Sequence, residues 1–188
     1  MTLTPDIKFA FVGGCLAIAV ISGVRCWNKK DWLLLVAALM STVMADYFLV
    51  LQEEHLYGVA AFCFAHLCYI FRSVGFRKWM FVALSGFAVV WGLVLFVFES
   101  VIFLAGIYAI LFAMNIYANA KTRRPKINYY LVMAGLVLFA LCDINVFLYS
   151  LPLYTGLPNL FPYAYLFIWI FYLPSQFLLA ISSVRAEG

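Results

Sequence analysis

The chain has 188 residues, of which 68% are hydrophobic and 11% charged, with a formal net charge of +4. Soluble domains average about 45–50% apolar and about 25% charged residues, so a water-soluble fold of this size is excluded and the bilayer must act as solvent. The basic residues sit in short clusters between apolar runs, which reflects membrane topology and excludes a nucleic-acid surface. No polar block is long enough to form a soluble domain, so 1–188 is read as a single transmembrane helical domain.

A helical span needs about 20 mostly apolar residues. Seven such runs are predicted: 7–25, 32–51, 56–72, 79–98, 100–119, 128–149 and 160–183. Met1 to Lys8 lacks the basic region of a secretory signal, so the first run is expected to remain as a span. The fourth and fifth runs are divided only by a turn at Glu99 and Ser100. Pro152, Pro158 and Pro162 are expected in the loop between the last two spans, and Pro174 should kink the seventh.

The loops alternate in charge. Arg25, Lys29 and Lys30 follow span one; Arg72, Arg77 and Lys78 follow span three; Lys121, Arg123, Arg124 and Lys126 follow span five; Arg185 follows span seven. Eleven of the 12 basic residues thus fall on one side, with Lys8 alone on the other. The positive-inside rule makes the basic side cytoplasmic, with the N-terminus outside and the C-terminus inside. That arrangement requires an odd number of spans. For a bacterial source the inner membrane is the expected location. Tyr47, Phe48, Tyr57, Tyr149, Tyr154, Phe161, Tyr163 and Tyr165 read as an interfacial belt at the outer ends. The five cysteines form no C-x-x-C pair and read as small buried hydrophobes.

Charge inside a span is costly, about 2.5–3.5 kcal/mol at the bilayer centre on insertion scales, and usually serves a purpose. Two aspartates stand out: Asp46 in span two and Asp143 in span six. Both spans run outward, and the helical rise places the carboxyls at ~21 and ~22 Å from the inner end. They share one depth in the outer half of the membrane. Tyr172 on span seven falls near that level, with Gln176 one turn deeper on the same face. His66 on span three lies near the level of Gln176, with Tyr69 at i+3 on its face. The predicted site is a polar pocket of Asp46, Asp143, His66, Tyr172 and Gln176, flanked by Tyr69 and Asn145.

Plainer roles compete. A lone aspartate also caps or cross-links helices, and Asp143 can simply accept from a tyrosine hydroxyl. His66 reads as a hydrogen-bonded packing residue rather than a metal ligand, and Asn115 and Asn145, near span ends, as helix–helix glue. A retinal-type photoreceptor is excluded, because the last lysine, Lys126, lies in a loop. A zinc hydrolase wants three protein ligands, and only two histidines exist; neither a metal nor another cofactor is expected. Neither a G-x-S-x-G elbow nor a phosphate-binding glycine loop is present.

At these residues the sequence resembles a known family. Met44-Ala45-Asp46-Tyr47-Phe48-Leu49, then Tyr57-Gly58-Val59-Ala60-Ala61-Phe62 and Ala65-His66-Leu67-Cys68-Tyr69-Ile70, are similar to the YhhN-like lysoplasmalogenase family. That family has a Gly-Asp pair ending one helix and G-x-x-x-F and His-x-x-Tyr on the next. Phe139-Ala140-Leu141-Cys142-Asp143 resembles its F-x-x-S-D motif, and Phe171-Tyr172-Leu173-Pro174-Ser175-Gln176 its closing Tyr-x-x-x-Gln segment. Ala45 and Cys142 depart from the family's Gly and Ser, and the first of the eight spans of many members has no counterpart.

The resemblance implies hydrolysis of the vinyl ether bond of a lysoplasmalogen, a lysophospholipid, to a fatty aldehyde and a glycerophospho-base. Two carboxyls suit the reaction, as they suit the related oxocarbenium chemistry of glycosidases. Asp46 and Asp143 are the expected acid–base pair, without a metal. Tyr172, Gln176 and His66 are expected to position water or the substrate head, and the apolar walls to hold the alkenyl chain. The rival reading is a proton-coupled transporter or sensor. Intramembrane acids serve such proteins too, and the Asp46–Tyr57 interval recurs as Asp143–Tyr154, a faint internal repeat.

Overall fold

The structure, a computed structural model, describes residues 4–75, 93, 101–155 and 161–185. Six of its helices are long and apolar enough to cross a membrane. They are α1 (Pro5–Ile21), α2 (Lys29–Asp46), α3 (His55–Val74), α4 (Val101–Ala120), α5 (Lys126–Thr155) and α6 (Ala164–Ile181). The chain is a multi-pass, all-α membrane protein. The predicted span 79–98 lies outside the described residues.

Local chemistry sets the helix ends. Asn28 caps α2, its side-chain oxygen accepting from the amides of Lys30 and Asp31 at 2.9 and 3.3 Å, two donors that a helix start leaves free. Gly75 ends α3 with φ of 70°, a conformation that only glycine adopts without strain. One boundary differs from the sequence reading: Pro152 is not in a loop but within the last turn of α5. There proline lacks the amide that would donate to the carbonyl four residues back, and only three residues of helix follow it. α6 likewise continues through Pro174.

The helices form a ring. α2 packs on α3, α3 on α4 and α5 on α6, while α1 closes the ring between α2 and α6. Phe62, Phe112, Phe139, Tyr172, Leu35, Leu39, Leu136 and Leu179 fill the interior. Ile18, Ile110, Met114, Phe147 and Phe167 are exposed on the outside, the apolar surface expected of a protein solvated by lipid.

One pole of the ring gathers the charges. Arg72, at the end of α3, makes a bidentate pair with Asp31 in the first turn of α2, at 2.8 and 2.7 Å. The same guanidinium donates to Ser182 and Ser183 beyond α6, both at 2.9 Å. Arg124 stands 3.6 Å from Asp31 and donates to Asn119 at 2.6 Å. Burial and then the neighbouring Arg72 charge bring the Arg124 guanidinium down to about 10, against the pull of Asp31. Asn128 donates to the carbonyls of Ser182 and Val184 at 2.7 and 2.8 Å, and the Arg185 amide to the Arg25 carbonyl at 2.8 Å. Every described helix therefore has an end tied at this pole. α3 and α4 both finish there, joined by Thr122 donating to the Ser73 carbonyl at 3.2 Å.

Removing one partner of a buried pair leaves an uncompensated charge and costs about 3–5 kcal/mol. Asp31→Ala is expected to destabilise by that order, read as a lower unfolding midpoint in detergent, and the double variant with Arg72→Met to recover part of it. An unchanged midpoint in Asp31→Ala contradicts this account of the pole.

Candidate active site

The first carboxyl is placed by a change of helical winding. α2 ends at Asp46 and the chain continues as a π-helical turn, Tyr47–Leu51, a wider winding found often at functional sites. Gly58 of α3 lies against this turn. A Cβ on it would stand 2.3 Å from the Leu49 Cγ and 3.2 Å from the Ala45 carbonyl oxygen, so glycine is what permits the approach. One turn on, Phe62 enters the interior beside Asp46's partner. That partner is Tyr172, whose hydroxyl donates to Asp46 at 2.6 Å. Asp46 is 4% exposed.

The second carboxyl mirrors the first. Asp143 of α5 accepts from the Tyr108 hydroxyl of α4 at 2.6 Å. The two tyrosines face the same ring: Phe62 lies 6.1 Å from Tyr108 and 6.5 Å from Tyr172, edge-on to both. Phe139, one turn before Asp143, is 5.7 Å from Phe62 and 5.7 Å from Tyr172. The buried Cys142 thiol is within electrostatic reach of both aspartates. The two Asp–Tyr pairs thus flank one aromatic cluster at one level of the bundle.

His66 sits one turn closer to the charged pole, fully buried, stacked on Phe112 at 4.5 Å and 4.9 Å from the Tyr108 ring. A chain of hydrogen bonds reaches it from that pole. Arg124 donates to the Asn119 side-chain oxygen. The Asn119 amide donates to the Asn115 side-chain oxygen at 2.6 Å, and the Asn115 amide meets His66 Nδ1 at 3.0 Å. Arginine has no acceptor, so the direction of every link is fixed. Nδ1 must accept, and the ring proton resides on Nε2. That N–H, the Tyr69 hydroxyl and both ends of the Gln176 amide are buried with no hydrogen-bond partner among the described residues. Gln176, i+4 from Tyr172, is also one turn nearer the charged pole. These groups are spare donors and acceptors beneath the carboxyls.

Asn145 is not with them. Its amide bonds the Leu141 carbonyl at 2.7 Å, and it lines an outward cleft of about 260 Å³ with Phe161, Pro162, Tyr163, Ala164 and Phe167. Sequence reasoning missed Tyr108, which carries no motif and is found only by asking what satisfies Asp143. It treated Asn115 as glue near a span end. The signal available was the i, i+4 pair of Asn115 and Asn119 in an apolar run. Among the described residues no three His, Cys, Asp or Glu side chains converge as a metal would require.

The relay makes a spectroscopic prediction. In protein isotope-labelled at the histidine nitrogens, His66 is expected as the Nε2–H tautomer, and Asn115→Leu to remove that preference. A native Nδ1–H ring contradicts the relay.

Neither the comparison with curated proteins nor that with solved structures returned a match. Residues 7–183 match the profile of the YhhN family. That span takes in both Asp–Tyr pairs and the His66 relay, and the chain belongs to the YhhN family.

Proposed function

We propose that this chain is an integral-membrane lysoplasmalogenase that uses Asp46 and Asp143 as an acid–base pair. The observation that carries the reading is the pair itself: two carboxyls within the bundle, Asp46 buried and Asp143 partly so, each held by a tyrosine hydroxyl across one aromatic cluster. Family membership and the resemblance of the surrounding motifs to YhhN-like lysoplasmalogenases support the substrate.

The chemistry balances with these groups alone. One aspartic acid gives its proton to the alkene carbon remote from the ether oxygen, and the π electrons form the new C–H bond. The oxygen lone pair delocalises onto the adjacent cation, and the facing carboxylate stabilises it. Water adds to that carbon as the carboxylate takes its proton. The hemiacetal then breaks its bond to the glycerol oxygen, which leaves as a hydroxyl with the proton held by the second aspartate. The hemiacetal's own proton returns to the first, and a fatty aldehyde is released. His66 Nε2–H and Gln176 hold the water, and no cofactor takes part. Following the positive-inside rule, the charged pole faces the cytoplasm and the substrate approaches from the outer leaflet.

Purified protein in detergent, without any gradient, is expected to release aldehyde from a lysoplasmalogen. A transporter would release none. General acid–base groups contribute about 10²–10⁴-fold, so Asp46→Asn and Asp143→Asn should each lower kcat by that order. Full activity in either variant would sink the mechanism. Tyr108→Phe and Tyr172→Phe remove a hydrogen bond to a carboxyl and should cost roughly 10-fold to 100-fold. An undiminished rate in both would show that the tyrosines are only packing.

A further inference from the structure

Among the described residues Lys8 is the one lysine or arginine on the pole opposite the Arg72 cluster, and it does not behave as an interfacial lysine. Such a side chain ordinarily extends its head to water. Here the residue is 2% exposed. Its ammonium is turned inward onto α6, donating to the Tyr165 hydroxyl at 2.7 Å and lying 4.0 Å from the centre of the Trp169 ring and 4.6 Å from that of Tyr165.

This cation has no carboxylate within ion-pairing distance among the described residues. An ammonium carries three donors, and the tyrosine takes one. The adjacent Trp169 Nε1–H is buried and without a partner among the described residues. Two kinds of donor and a positive charge therefore lie together where no anion among the described residues answers them, and a sequestered unpaired charge is costly.

The position relative to the carboxyls identifies the anion. Trp169 packs edge-on against Tyr172 at 5.9 Å, and Tyr172 holds Asp46. Along α6 the midpoint of Tyr165 and Trp169 is five residues from Tyr172, about 7.5 Å at the helical rise. In a 1-alkenyl glycerophospholipid the ether oxygen and the phosphorus are five bonds apart, a reach of about 6 Å at ordinary bond lengths. With the vinyl ether at Asp46, the phosphate falls at the level of Lys8.

We propose that Lys8 and Trp169 form the phosphate-binding subsite for the headgroup of the lysolipid. The inference rests on the placement of the vinyl ether argued under Proposed function, so its test uses ligands that are not turned over. A saturated 1-O-alkyl lysophosphatidylcholine and the matching 1-O-alkylglycerol are titrated against the purified protein in detergent. The phospholipid is expected to bind about 10-fold to 100-fold more tightly, the range of a charge-assisted hydrogen bond. Lys8→Gln should collapse that ratio towards one, Trp169→Phe should reduce it while keeping the ring, and Lys8→Arg should retain it. Millimolar inorganic phosphate should not displace the lipid. An unchanged ratio in Lys8→Gln overturns the subsite, and displacement by inorganic phosphate overturns its assignment to a lipid headgroup. Because neither analogue reacts, the outcome is independent of whether vinyl ethers are hydrolysed.

Discussion

Inside a bilayer a polar group that finds no partner has no water to fall back on, and this constraint organises the whole protein. The described helices need little specificity to insert, since their outer faces are as apolar as their inner ones. What gives the ring one arrangement is where its few polar side chains meet. Asp31, Arg72, Arg124, Ser182 and Ser183 come from different parts of the chain and are satisfied only together. Their assembly fixes the levels of the helices relative to one another, and the interior contacts follow from those levels.

From the tied pole inwards, the levels then bring matched groups together. α3 and α4 run side by side in the same direction, so Ser73 meets Thr122, His66 meets Asn115 and Phe62 meets Tyr108 in register. The Arg124–Asn119–Asn115–His66 chain carries this register as hydrogen bonds of fixed direction. A change at the pole would therefore reach the site as a rotated or retautomerised imidazole, with no carboxyl being touched. The π turn after Asp46 and the Gly58 contact perform the corresponding task from the other side, setting where the first carboxyl is presented.

Much of this is legible in the sequence because the bilayer simplifies the code. Asp46 and Asp143 are visible as charges in apolar runs, and the rise per residue puts both at one depth. The structure holds each against a tyrosine on a common ring of Phe62. Tyr172 was legible by the same depth argument. Tyr108 was not, since a tyrosine in a span is unremarkable until its hydroxyl is seen to face an acid. Lys8 looked like a topological outlier, and Arg72 like an ordinary loop charge. Each acquired its role from a partner more than 40 residues away in the chain, and periodicity carries no information about such pairings. Pro152 illustrates the converse: a residue with a strong local meaning was overruled because α5 runs on for another turn.

Asp31, Asp46 and Asp143 show how partner choice separates structure from chemistry. Asp31 is clamped by the guanidinium of Arg72, with Arg124 close by. Such charge-assisted, bidentate pairing fixes its geometry, which is what a strut requires. Asp46 and Asp143 are met instead by tyrosine hydroxyls. A hydroxyl orients a carboxyl and satisfies one oxygen but brings no charge. The other oxygen is left able to take up or release a proton, and the group can change state without breaking its tether. An arginine at either place would hold the carboxyl equally well but would rule out the acid role proposed for it. The neutral donor at each carboxyl is thus the feature that suits the pair to proton transfer rather than to holding helices together.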